Sequence, residues 1–474
     1  MCSRGDFEVS VSKKEVVTAV MPSQEHWLPL SNLDLLIPPI DVGVFFCYKK
    51  PLEGADNSTF ESMVSVLKKA LAQVLVPYYV FSGEVVPNSL GEPELLCNNR
   101  GAEFMEAFAQ VELRDINSYN PDESVQGKLV PKKNKGVLSV QATELKCGGL
   151  VVACSFDHRV ADAHSTNMFL VSWAEKAQSK PLSILPCHRL SLLSPRRPGH
   201  YDPSLDNMYV PTSALPPPKE HQPGADHLIS RIYYIAANQL GQLQSMASSG
   251  SRNRTKLESF SAFLWKMVAK YAVRQNVDKK IGKLGIAIDG RSRLSHGEGD
   301  DKAALMAAYF GNVLSNSSGE MRIHELNEKP LSLVADTVHD YLERAMTKEH
   351  FLGLIDWVEA HRPKPAAAKI LSGGSNDGTA IMVSSGLWFP ASKVDFGWGR
   401  AAFWSYHFPS GGSSAGYVMP MPSPAGNGDW VVFMHSLKGQ LEFIEAEAAH
   451  LFKPLTSDYL NLVPNVTTYQ TLDI

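Results

Sequence analysis

Apolar positions along this chain fall into two textures, short unbroken runs and helical stripes, and both recur in each half. Residues 42–48 (VGVFFCY) read as a strand. Residues 61–75 read as a helix, with Met63, Val66, Leu67, Leu71 and Val74 on one face and Lys68 and Lys69 opposite. Further strands are predicted at 78–86, 94–97, 137–145 and 150–156, the last two joined by the short KCGG connection as a hairpin. A helix starts near Asp162, with Phe169 and Trp173 one turn apart on one face.

The second half opens with a predicted strand at 230–236. Thr255 and Glu258 then make a capping box ahead of Phe260, Phe263, Leu264 and Val268. Strands follow at 284–288, 309–314, 380–385 and 430–435, and helices at 330–346 and 439–452. Strands and helices mix without strict alternation, which predicts an α/β fold of mixed sheets flanked by helices. Between residues 194 and 224 the periodicity stops and eight prolines occur, as expected for an extended crossover. The expected organisation is a domain at 1–193, a Pro-rich linker at 194–226 and a second domain at 227–474; 474 residues exceed one typical core.

Composition narrows the function classes. A net charge of −4 gives no basic field for nucleic acid or an anionic membrane. No apolar stretch approaches the ~18 residues needed to span a bilayer, and residues 1–7 lack a signal-type apolar region, so a cytoplasmic location is expected. The six cysteines all precede residue 188 and form no CxxC pair, so a zinc ribbon or thioredoxin motif is not predicted.

The chemistry concentrates at residues 150–162. A buried run ends at Ser155, and HRVAD (158–162) follows where a strand gives way to a loop, a setting in which scaffolds hold catalytic side chains. The spacing alone is a weak signal, because His296 and Asp300 repeat it in an acidic, Gly-rich segment without a preceding strand. Asp162 is equally a preferred helix N-cap. The rival site is GSSAG (412–416), formally a nucleophile elbow carrying Ser414, with Asp429 and His435 downstream. An elbow requires a following helix, and Pro420 and Pro422 oppose one. Metal-ligand and phosphate-loop spacings are absent, so no metal is expected. DFGWG (395–399), two glycines flanking a tryptophan, reads as a sharp corner with a ring packed on it.

HRVAD in mid-chain with DFGWG near the C-terminus resembles the plant BAHD acyltransferases. So do LSNLDL (30–35), Tyr78–Tyr79 leading to Ser82–Gly83, DGRSR (289–293) and YFGN (309–312), and the likeness covers nearly the whole chain. The texture of residues 24–29, 157–163 and 417–422 is most similar to the coniferyl alcohol acyltransferase and hydroxycinnamoyltransferase-like branch.

The resemblance implies two similar chloramphenicol-acetyltransferase-like domains joined by a crossover. It implies a monomer that moves an acyl group from acyl-CoA, its co-substrate, to a small-molecule alcohol or amine, without a covalent acyl-enzyme. His158 would be the general base. Asp162 would turn away and pair with Arg291, or second with Arg293, while Asp395, Gly397 and Trp398 would be structural. Asn312, Gly386 and Trp388 would lie at the substrate. Relatives that use shikimate carry a Thr-Ser-Trp segment for the oxyanion; the matching residues are Ser384, Ser385 and Gly386, so Ser384 keeps a hydroxyl while the indole is gone. On a strand, Trp388 would share a face with Gly386, which would itself leave room for a flat ring. Ala163 also departs from the family's usual glycine. These departures favour an aromatic or phenylpropanoid acceptor; the alternatives are hydroxycinnamoyl transfer to shikimate/quinate-type or amine acceptors and, from another class, serine hydrolysis through Ser414.

Overall fold

The computed structural model describes residues 7–51, 59–214, 227–249, 252–277, 279–372, 378–408 and 415–463. In chain order its principal strands are β1 (Val9–Val17), β2 (Asp41–Tyr48), β3 (Ala102–Ala109), β4 (Leu138–Leu145), β5 (Leu150–Asp157), β6 (Leu228–Ile235), β7 (Ile281–Asp289), β8 (Leu314–Arg322), β9 (Gly378–Val383), β10 (Phe403–His407), β11 (Gly416–Pro422), β12 (Trp430–Leu437) and β13 (Lys453–Pro454). They form two large mixed sheets, β1-β3-β4-β5-β2-β10 and β8-β7-β9-β11-β12-β6-β13. The main helices are α1 (Phe60–Val74), α2 (Ala163–Ala177), α3 (Lys256–Arg274), α4 (Leu331–Ala345), α5 (Lys348–His361) and α6 (Lys438–Glu447).

Local chemistry accounts for the main elements. Thr59 caps α1 by accepting from the Ser62 amide, and Met63, Val64, Leu67, Leu71 and Val74 are its buried side. The predicted capping box at Thr255 and Glu258 starts α3. β4 and β5 pair as the expected hairpin, from Leu138 opposite Phe156 to Glu144 opposite Leu150. All eight residues of β5 are buried, which explains its unbroken apolar run.

Three predicted strands need correction. Residues 79–82 form a 3₁₀ turn, and only Glu84–Pro87 is extended there. Residues 309–313 are irregular because their polar groups serve the site described below, and the strand begins at Leu314. The regular strand ends at Val383, though the Ser384 and Gly386 amides still donate to the Val418 and Pro420 carbonyls at 2.9 Å; Trp388 then lies on a turn, with the Phe389 amide donating to the Gly386 carbonyl at 3.0 Å.

The chain crosses between the halves more than once. β10 comes from the C-terminal half, yet it pairs antiparallel with β2 and forms an outer strand of the first sheet, Tyr406 opposite Val44. The stretch expected to be an extended, Pro-rich crossover carries regular structure among its described residues. Its strand Tyr209–Pro211 pairs with Ala366–Ala368, and Leu205 and Tyr209 are buried in the second core.

Candidate active site

His158 follows β5 directly. Its amide donates to the Ile40 carbonyl at 3.0 Å, and its carbonyl accepts from Asn312 Nδ2 at 2.9 Å. The backbone of the loop is thus held from both halves of the chain. The ring lines a cavity of about 410 Å³ between the two sheets, and its Nδ1 is buried without a partner among the described residues. The cavity wall is mainly apolar and aromatic, with Phe156, Phe389, Tyr406, Phe408, Tyr417 and Met419 among its residues.

Asp162 caps α2, its Oδ1 accepting from the Ser165 amide at 2.9 Å. Arg291 grips the same carboxylate in a fork, Nη1 to Oδ2 at 2.8 Å and Nη2 to Oδ1 at 3.1 Å, and the Val313 amide donates to Oδ2 at 3.1 Å. Both side chains are buried. The Arg291 guanidinium also donates to the Tyr309 and Gly311 carbonyls and to Ser165 Oγ. Burial pushes the Asp162 carboxyl up, but Arg291 and the hydrogen bonds outweigh it and hold the group below the usual carboxylate range. Asp162 and Arg291 therefore form a buried pair. Arg293 does not join them; its Nη2 lies 3.6 Å from Met346 Sδ.

Asn312 is completely buried rather than set at the cavity wall. Its main-chain N–H and Nδ2 both donate to Asp34 Oδ1, at 2.7 and 2.8 Å. Asp34 Oδ2 accepts from the Ser31 amide and hydroxyl at 2.9 and 2.6 Å. Burial raises the Asp34 carboxyl to about 6 against these hydrogen bonds. The LSNLD segment thus anchors Asn312, which anchors the His158 carbonyl.

Gly386 also departs from expectation. A Cβ there would stand 2.8 Å from Phe389 Cε2 and 2.9 Å from Met421 Cγ, so these side chains already occupy the room assigned to a substrate ring. Trp388 is 93 % exposed at the mouth of the cavity, too open for an indole N–H that must donate from a dry site. Ser384 lines the cavity. Sequence reasoning missed Asn167, Tyr406 and Tyr417 on the same wall. Tyr406 alternates with core aromatics along β10 and carries no motif.

The DFGWG run forms the expected corner, away from the cavity wall. Asp395 Oδ1 accepts from the Gly397 and Gly399 amides at 2.8 and 2.9 Å, and Gln178 Nε2 donates to the Asp395 carbonyl. Gly397 and Gly399 have φ of 110° and 103°, where a side chain would be strained. Trp398 and Phe396 pack edge-on against Tyr48, whose hydroxyl donates to the Val394 carbonyl at 2.8 Å.

The surroundings of the rival elbow can be followed only in part. Ser414 lies outside the described residues. The segment after it is the strand β11 rather than a helix, and His435 Nδ1 pairs with Ser230 Oγ at 3.0 Å instead of with Asp429. No cluster of metal-binding side chains occurs among the described residues, nor a helix long and apolar enough to cross a membrane.

Comparison with known proteins bears on the family. A family model described as Transferase family matches residues 7–451. The shikimate O-hydroxycinnamoyltransferase of Nicotiana tabacum is 26 % identical over 467 residues, covering 96 % of this chain and all of that protein. The omega-hydroxypalmitate O-feruloyl transferase of Arabidopsis thaliana is 30 % identical over 392 residues, 78 % of each chain. Among solved structures, F. graminearum TRI101 complexed with coenzyme A and T-2 mycotoxin is similar with a TM-score of 0.71. That match is 15 % identical and covers 90 % of this chain and 99 % of the other, a likeness of fold.

The chain belongs to the Transferase family, the plant BAHD acyltransferases, in its hydroxycinnamoyltransferase-like branch. It is an acyltransferase with acyl-CoA as its co-substrate.

Proposed function

We propose that this enzyme transfers its acyl group to the hydroxyl of an aromatic, phenylpropanoid-type alcohol, with His158 as general base and no covalent acyl-enzyme. The observation that carries this reading is the division of labour in HRVAD: His158 lines the cavity with its Nδ1 unpartnered among the described residues, while the Asp162 carboxylate is taken up by Arg291. A thioester is already activated, so the enzyme has chiefly to remove the acceptor's proton as its oxygen attacks. A neutral imidazole, with an ordinary pKa of ~6.5, suits that task, and such help is typically worth ~10²- to 10⁴-fold.

The aromatic wall supports a flat acceptor or acyl group. An amine acceptor would use the same base. Because both halves of one chain complete the site, a monomer is sufficient. The free Cys47, Cys97, Cys147, Cys154 and Cys187 fit a reducing compartment, the cytoplasm. Residues 1–193 and 227–474 are the two domains on this reading, with β10 exchanged between them.

The test is a panel of acetyl-, malonyl-, benzoyl- and p-coumaroyl-CoA against coniferyl alcohol, shikimate, anthranilate and putrescine, following coenzyme A release. Turnover with coniferyl alcohol and not with shikimate is expected. His158→Ala should remove nearly all turnover and leave the fold intact; normal turnover in that variant would end the assignment.

A further inference from the structure

A transferred acyl group passes through a tetrahedral oxyanion, and with the family's indole lost at Gly386 the resemblance carries over only the Ser384 hydroxyl as its donor. The hydrogen-bond bookkeeping around Tyr406 supplies another. Asn167 Nδ2 lies 2.7 Å from the Ala163 carbonyl, one helical turn back, and 2.8 Å from Tyr406 Oη. A main-chain carbonyl can only accept, so the amide must present its nitrogen there, and its second N–H donates to the phenol. The reversed amide would set two acceptors, Asn167 Oδ1 and the Ala163 carbonyl, against each other.

Tyr406 Oη is therefore an acceptor toward Asn167, and its own proton remains to be given. Asn167 Oδ1 takes no hydrogen bond among the described residues, so it does not receive that proton. The phenol belongs to the wall that also carries His158 and Ser384. Burial, with the Asp162 charge second, holds its pKa well above the usual tyrosine value, which keeps the proton on at any working pH. Tyr406 is the phenol whose donor role is fixed by a neighbour that cannot reverse.

We propose that Tyr406 is the oxyanion donor of the acyl transfer, its O–H aimed at the thioester oxygen. The inference rests on His158 being the base of the same cavity. The acceptor oxygen forms a bond to the thioester carbon while its proton passes to His158 and the carbonyl π pair moves onto oxygen, against the Tyr406 hydrogen. Collapse restores the carbonyl, breaks the carbon–sulfur bond and returns the proton from His158 to the coenzyme A thiolate. Tyr406 donates a hydrogen bond throughout and loses no proton.

Tyr406→Phe keeps the ring and removes the donor. It should lower kcat by ~10²-fold and leave KM for acyl-CoA within about twofold. A readout that packing alone would not move is the carbonyl stretch of bound acetyl- and p-coumaroyl-CoA labelled with ¹³C at that carbon, measured in the inert His158→Ala background. The stretch should fall to lower frequency on binding, and the fall should vanish in the His158→Ala, Tyr406→Phe double variant. A Tyr406→Phe enzyme with at least half of normal kcat, or a retained carbonyl shift in the double variant, overturns the proposal. So does a Tyr417→Phe variant that alone shows both losses. Those results leave His158 intact as base, whereas turnover by His158→Ala would remove the base assignment itself.

Discussion

Replacing Arg291 by Met tests what holds the His158 loop. The change keeps much of the side-chain volume but strips Asp162 of its fork, leaving the Ser165 and Val313 amides as the donors shown to that carboxylate. It also leaves the Gly311 and Tyr309 carbonyls without their guanidinium donor. Removing one partner of a buried pair costs about 3–5 kcal/mol, a large share of the ~5–15 kcal/mol that stabilises a typical fold. With a urea slope of roughly 3 kcal/mol per molar, the unfolding midpoint should fall by roughly 1–1.7 M.

The pH dependence carries a sign. In the parent the depressed Asp162 pKa contributes stability that is present above the ordinary carboxylate range and lost as pH falls through the folded value. In the variant burial acts with Arg291 gone, so the folded pKa rises and the ionised carboxylate becomes destabilising. That penalty is present at high pH and disappears as the group takes up its proton. The deficit relative to the parent should therefore be larger at pH 7.5 than at pH 5. Urea titrations followed by tryptophan fluorescence at both pH values measure it. A midpoint shift below about 0.3 M, or a deficit unchanged between the two pH values, would refute the argument that a charge left unpaired in a dry site is what the substitution creates.

Other outcomes follow from the same geometry. Gly386→Ala must push Phe389 and Met421 aside, and should cost about 1–3 kcal/mol, seen as a lowered thermal midpoint. If the variant is as stable as the parent and gains no constraint at the cavity, Phe389 and Met421 are looser than they stand. Asp395→Ala frees the Gly397 and Gly399 amides of the corner and should cost about 1 kcal/mol in urea unfolding, with kcat within a few-fold of normal. A kcat loss matching that of His158→Ala would mean that the DFGWG corner does more than shape the chain.

Much of this architecture was legible because burial writes directly on sequence. β5 is buried on both faces and reads as a solid apolar run, and α1 and α3 show their stripes and caps plainly. HRVAD could be placed because a buried strand must end before a polar loop begins. What resisted reading was whatever depends on a partner far along the chain. The irregular 309–313 segment looked like a strand because Tyr309, Phe310 and Val313 are apolar and buried, but its backbone is spent on Arg291, Asp34 and Asp162. Trp388 was expected on a strand because only its spacing from Gly386 was visible, and the turn that exposes it depends on Phe389 filling the space beside Gly386. Tyr406 left no trace, since its meaning comes from Asn167, on a helix of the other half.

The exchanged strand β10 has a practical consequence. A cut in the Pro-rich stretch would look like a natural place to separate two folding units, yet it leaves the first fragment without an outer strand. The exposed edge of β2 would offer a free row of main-chain donors and acceptors, an invitation to pair with another copy. The C-terminal fragment would in turn carry β10 with Phe403, Trp404 and Tyr406 stripped of their cover. The two pieces should therefore be insoluble when made separately and recover one another when made together. The chain behaves as a clasp whose tongue is sewn to the opposite side.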